Sequence, residues 1–184
     1  MISKDTLDNI WGVIQYITGV LIVVTVITLV KAEETHAAEF HVLEGGFIDI
    51  QGRTEYEDVA VLIMFMNKYP DTHTVLIGGQ GGLALAGIAL AHLVHDYNLN
   101  VIATKDCYSA CAMVWVAGKN KTSFEDVGVY QHGVYVAGSD SLSEEEYQIW
   151  ESILTELYDK VAPTKTKTLL NLIRNPRNEW LKLN

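Results

Sequence analysis

Apolar residues follow two different patterns along this chain. From Ile10 to Val30 there are 21 residues without a charge, long enough for a helix that crosses a hydrocarbon core. A cleaved signal needs a basic start and a shorter apolar run, and here Lys4 is outnumbered by Asp5 and Asp8. Val30-Lys31-Ala32 does resemble a cleavage site, yet the length of the run favours an uncleaved anchor. Residues 1–31 are therefore read as an N-terminal transmembrane helix, 32–39 as a linker and 40–184 as one domain. With Lys4 on one side and Lys31 on the other, basic residues set the orientation only weakly.

Past the linker the apolar runs shorten and change period. Phe40 to Leu43 and Phe47 to Ile50 flank Gly45-Gly46 and predict a strand or hairpin. Thr54 with Glu57 fits a capping box, opening a helix over Val59 to Tyr69 that Pro70 stops. His73 to Ile77 reads as a strand ending in Gly78, Gly79, Gly81 and Gly82. Leu83 to Tyr97 is rich in Ala and Leu and apolar nearly all round, which predicts a buried helix. Val101 to Thr104 is a second strand and completes a β-α-β unit. A further helix from Ser109 to Gly118, a turn over Lys119 to Ser123 and a strand over Val127 to Val136 follow. Ser143 and Glu146 form another capping box for an amphipathic helix to Lys160, and Lys165 to Arg174 is a last helix before Pro176. Strands alternating with helices give an α/β fold.

A net charge of −10 and a pI near 4.9 argue against nucleic acid and against docking on an anionic membrane surface. Cys107 and Cys111 are the only cysteines, and no further ligands lie at a convincing metal-binding spacing. In an oxidising compartment they form a disulfide; in a reducing one they are small buried hydrophobes. The anchor favours the disulfide. Because Cβ atoms at i and i+4 of a helix stand about 5–6 Å apart, the bridge requires Cys107 to lie before the first turn.

Two chemistries compete for the glycine segment. Gly79-x-Gly81-x-x-Ala84 follows a strand and opens a helix, with Asp106 where a ribose-binding acid would stand. Too little chain follows Thr104 to supply the repeated strand–helix units of a dinucleotide fold. Acyl transfer fits better. It needs a nucleophile, a base and two backbone donors for an oxyanion. Ser109, His132, Gly82 N–H and Ala110 N–H provide them, with glycine loop and serine at the same, carboxyl, edge of the sheet. Taken alone, Ser109 is more often a helix cap and His132 more often a structural hydrogen-bonder. His92, His95 and Asp96 suggest metal by spacing alone, and without a further ligand they read as helix-end polar residues.

The string Gly-Gly-Gln-Gly-Gly-(x)4-Gly-Ile-Ala-Leu-Ala, then Cys-Tyr-Ser-Ala-Cys-Ala-Met-Val-Trp-Val-Ala-Gly, then Gln-His-Gly, resembles the Clp protease proteolytic subunit. It is more similar still to the periplasmic Clp-protease-like proteins of the Clp/crotonase superfamily, and the likeness spans Phe40 to Trp180. The resemblance implies a Clp/crotonase-like β-β-α spiral core behind one N-terminal transmembrane helix, with the domain periplasmic or otherwise outside the cytoplasm. It implies hydrolysis of peptide or protein substrates without metal or cofactor, in a homo-oligomer. Ser109 becomes the nucleophile, His132 the base, and Gly82 and Ala110 the oxyanion donors, with Ser109 Oγ close to a ring nitrogen of His132. The chain departs from the family at three places. Gln80 stands where the family has proline, Tyr130 competes with His132 for the histidine position, and the expected aspartate is replaced by Asn178 or Glu179. Asn178 is taken as the third catalytic residue. The alternative is a catalytically reduced scaffold or binding module on the same fold.

Overall fold

A computed structural model describes residues 37–134, 142–172 and 180–184. The anchor expected over residues 1–31, most of the linker and Asn178 lie outside the described residues. Among the described residues no helix is long and apolar enough to cross a membrane.

One mixed sheet organises the domain, in the order β1-β2-β3-β4-β6-β7, with β5 attached to β4 off that path. β1 (Glu39–Leu43) and β2 (Phe47–Thr54) form the antiparallel hairpin turned by Gly45 and Gly46. β3 (Thr74–Gly82) and β4 (Asn100–Tyr108) add to β2 in parallel, joined by helix α2 (Ala84–Asp96). Helix α1 (Tyr56–Lys68) connects β2 to β3. After β4 come α3 (Ala110–Ala117), β5 (Lys121–Ser123), β6 (Val129–Gln131), α4 (Glu144–Val161), α5 (Thr166–Asn171) and β7 (Leu181–Lys182).

α3 is the centre of the core. All eight of its residues are buried, as an Ala-Cys-Ala-Met-Val-Trp-Val-Ala run with no polar position demands. It lies against β3, β4 and β6 on one side and against α2 on the other, and α2 in turn meets α1 and α4. Trp115 satisfies its only polar atom by donating Nε1–H to the Thr122 carbonyl at 2.9 Å. Burial of each large side chain in this layer contributes about 1.5–3 kcal/mol. A Cβ at Gly87 of α2 would stand 2.8 Å from Ala110 Cβ, so glycine lets the two helices close on each other.

β4 forks. Its first half pairs with β5, Val101 to Ala103 against Lys121 to Ser123, while its end pairs with β6, Cys107 and Tyr108 against Val129 and Tyr130.

Three local expectations need correction. The glycine run is strand: Arg53 and Thr54 pair with Gly81 and Gly82, past a shift in register between Gln51 and Arg53. That pairing draws Thr54 into β2, where its carbonyl accepts from Leu83 N–H at 2.9 Å, so the α1 cap moves on by one residue. Glu55 is the N-cap, and Asp58 accepts from its N–H at 2.8 Å. Lys119 to Ser123 contains strand β5 as well as a turn. Gly118 ends α3 as expected, at φ −58 and ψ 135, and a Cβ there would stand 2.8 Å from Val101 Cγ2. The Ser143–Glu146 box at α4 is as the sequence predicts.

Candidate active site

β4 delivers Ser109. The strand ends at Tyr108 and α3 begins at Ala110, so a single residue turns extended backbone into helix. Ser109 does this at φ +55, ψ −116, a conformation that costs a residue with a Cβ about 1–3 kcal/mol. It occupies the N-cap position, yet its side chain makes no capping bond. Its backbone holds the turn from both sides: Ser109 N–H donates to Tyr130 O at 2.8 Å, and Ser109 O accepts from Met113 N–H at 3.2 Å.

A disulfide brackets this turn. Cys107 and Cys111 are bonded, with Cα atoms 5.3 Å apart, Cys107 in β4 and Cys111 in the first turn of α3. Cys107 thus lies before the helix, where the bridge can close. Both residues are buried.

The glycine segment packs on the same turn. Gly81 has φ +84, and a Cβ there would stand 2.8 Å from Ser109 Cβ and 3.1 Å from Ala110 N. At Gly82 a Cβ would overlap the Thr54 carbonyl oxygen. Only bare backbone fits between β2 and the Ser109 turn. Ala110 is fully buried, and its N–H is one of the four at a helix start with no acceptor within the helix.

His132 follows β6 directly, and at 8% exposure it is buried. Its Nδ1 bonds the Gly133 carbonyl oxygen. A carbonyl only accepts, so Nδ1 carries the proton and Nε2 keeps the lone pair. Burial pushes the imidazole below the ordinary histidine range, partly offset by the Gly133 bond, so the ring is neutral at pH 7. The competing Tyr130 points elsewhere: its ring stacks on Tyr108 with centroids 5.0 Å apart and planes 13° from parallel.

Gly82, Ser109 and His132 line one pocket of about 320 Å3, together with Arg53, Tyr56, Met113 and Trp150. Among the described residues the Ser109 hydroxyl makes no hydrogen bond, so the two groups share the pocket without being joined. The sequence reading gave Arg53, Trp150 and Trp180 no part in the site. Arg53 Nε pairs with Glu55 at 2.5 Å. Trp180 sets its indole against His132 at 4.5 Å between centroids, planes 74° apart. These residues come from distant parts of the chain, and no local spacing marks them.

The competing motifs are otherwise engaged. Asp106 accepts from Gly128 N–H at 2.8 Å and from Tyr108 Oη–H at 3.1 Å, which ties the end of β4 to the approach of β6. Asp96 pairs with Lys160 of α4 at 2.7 Å, and that ammonium holds its carboxyl below the usual range.

No protein-family profile and no curated protein matches this chain. Among solved structures, ClpP1 from Listeria monocytogenes superposes with a TM-score of 0.56 at 21% identity, over 75% of this chain and 83% of that one. The domain therefore has a Clp protease-like fold.

Proposed function

We propose that this Clp-fold domain is a membrane-anchored serine peptidase that cleaves peptide bonds through Ser109 and His132. The observation that carries the reading is the Ser109 turn: a serine held at φ +55 between strand and helix, its hydroxyl unused for capping, lining one pocket with a neutral histidine and Gly82. Strain of this kind persists only where surrounding structure imposes it, and it clusters at reactive sites.

In this reading His132 Nε2 takes the Ser109 Oγ proton as Oγ attacks the scissile carbonyl carbon. The N–H groups of Gly82 and Ala110 receive the oxyanion. Imidazolium then returns the proton to the leaving amine, giving an acyl-serine that water hydrolyses by the reverse sequence of transfers. Asn178 is assigned the role of orienting the imidazole. The route needs no metal or cofactor. Catalytic hydrogen bonds often close only around substrate, which accommodates a Ser109 hydroxyl not bonded to His132.

The uncharged run Ile10 to Val30 supports a membrane anchor, and the Cys107–Cys111 bridge supports an oxidising, extracytoplasmic compartment. A homo-oligomer is proposed from the likeness in fold.

A fluorophosphonate probe tests the chemistry. Wild-type protein is expected to be labelled at Ser109, with labelling lost in Ser109→Ala and strongly slowed in His132→Ala. Asn178→Asp is expected to speed it. No labelling of the wild type at any protein concentration would replace this reading with a non-catalytic scaffold on the same fold.

A further inference from the structure

The Trp180 indole touches both halves of the site at once. Its centroid is 4.5 Å from that of His132, planes 74° apart, and 5.4 Å from that of Tyr108, planes 83° apart. Tyr108 is the residue immediately before Ser109, and His132 immediately follows β6. One side chain therefore bridges the end of the nucleophile's strand and the base. Strand β7 fixes its approach, because Gln131 pairs with Leu181 and Tyr130 with Lys182. Leu183 N–H donates to Val129 O at 2.9 Å, and Asn184 Oδ1 accepts from Val129 N–H at 3.0 Å. The indole remains 47% exposed, which is unusual for a tryptophan whose role is only to fill a core.

We propose that Trp180 is a positioning residue: its indole clamps the His132 imidazole against the Tyr108–Ser109 turn and sets the angle at which the base meets the nucleophile. This rests on the peptidase reading above. Edge-to-face contact between rings at these separations favours one orientation of the imidazole plane. Gly133 O fixes which nitrogen is protonated, while Trp180 fixes where the other one points. Among the described residues, the titratable groups lining the pocket with the ring are Arg53, already paired with Glu55, and Tyr56, with Tyr108 beside the indole.

Trp180→Phe keeps an aromatic ring, and Trp180→Leu keeps apolar bulk without one. A residue that only fills space would tolerate the two alike. Trp180→Leu is expected to slow probe labelling at saturation on the order of 10²-fold, as a misplaced catalytic group does, with peptide KM changed by less than about threefold. Trp180→Phe is expected to recover most of the rate. The His132 ring titration, followed by NMR, is expected to move upward in Trp180→Leu as the ring gains water, and to stay close to wild type in Trp180→Phe. Equal labelling rates for Leu and Phe, or an unmoved His132 titration in Trp180→Leu, would overturn the clamp. If the wild type never reacts with the probe, the peptidase reading falls, and the NMR titration still decides whether Trp180 holds His132.

Discussion

Ser109 N–H donates to Tyr130 O at 2.8 Å, so the proposed nucleophile hangs directly from the strand that delivers His132 two residues later. Ser109 and His132 are placed by one backbone ladder, since β4 and β6 also pair through Cys107 with Val129 and Tyr108 with Tyr130. Each feature that braces this ladder yields a measurable expectation.

The first concerns pH. Desolvation lowers the His132 pKa, so the neutral base persists below the ordinary histidine value of 6.5. Labelling at Ser109 is expected to be flat at neutral pH and to fall as pH drops, with a midpoint under 6.5. Stability follows the same sign. In the window between the folded and unfolded pKa the unfolded chain binds the proton more readily, so acid destabilises the fold there. A labelling midpoint at or above 6.5 would contradict the buried, neutral ring.

The second concerns the disulfide. Closing the 107–111 loop contributes about 2 kcal/mol on the chain-entropy estimate. The same bond pins both flanks of a turn strained by about 1–3 kcal/mol. Replacing Cys107 and Cys111 together by alanine should therefore lower labelling more than the stability loss alone accounts for. Thermal melts and labelling rates, taken on the same samples well below the melting temperature, separate the two effects.

The third concerns the glycine segment. Gly82→Ala drives a methyl group into the Thr54 carbonyl oxygen, which must push β2 and β3 apart. Overpacking of this kind costs about 1–3 kcal/mol and here displaces a proposed oxyanion donor, so labelling should fall about 10²-fold or more. Gln80→Ala is the control, an exposed position expected to change stability by less than about 0.5 kcal/mol.

The fourth concerns the start of the domain. Asp58 is 1% exposed and accepts from Ala38 N–H at 3.1 Å and Glu55 N–H at 2.8 Å. Asp58→Asn sets an amide donor against one of those donors and should cost about 1–3 kcal/mol. Burial raises the Asp58 pKa above 3.8, although both backbone bonds pull it down. The folded state thus holds this proton more tightly than the unfolded state does, and the Asp58 contribution to stability declines as pH rises through that window. Comparing urea midpoints of the two proteins from pH 3 upward should show the difference largest in acid and shrinking as pH rises.

Local pattern was enough for the elements that carry their own signals. The Ala/Leu run of α2, the Ser143 box of α4 and the apolar run of α3 are each legible from a dozen residues or fewer. What escaped the sequence depends on partners far away in the chain. Thr54 has a capping residue's chemistry, and only its pairing with Gly82 shows that it belongs to a strand. The glycines look like a loop because nothing local says that β2 must approach so closely. β7 is two residues long, and Trp180 acquires meaning only once β7 lies beside β6. Motif likeness brought Ser109 and His132 forward, and the fold sets both on one pocket; spacing alone could not show that Asp106 and Asp96 are already occupied.

The forked strand β4 has a consequence for how the molecule breathes. Its first half is secured by β5 and its last residues by β6, so the two halves answer to different neighbours. Opening of the β6–β7 pair need not unravel Val101 to Ala103, and local opening of this kind is set by the contacts each unit keeps. Amide protons of Val129 to Gln131 and Leu181 to Lys182 should exchange with solvent together, as one unit, and sooner than those of the β3–β4 ladder. The end of the sheet that carries Ser109 and His132 can then loosen while the other end stays closed.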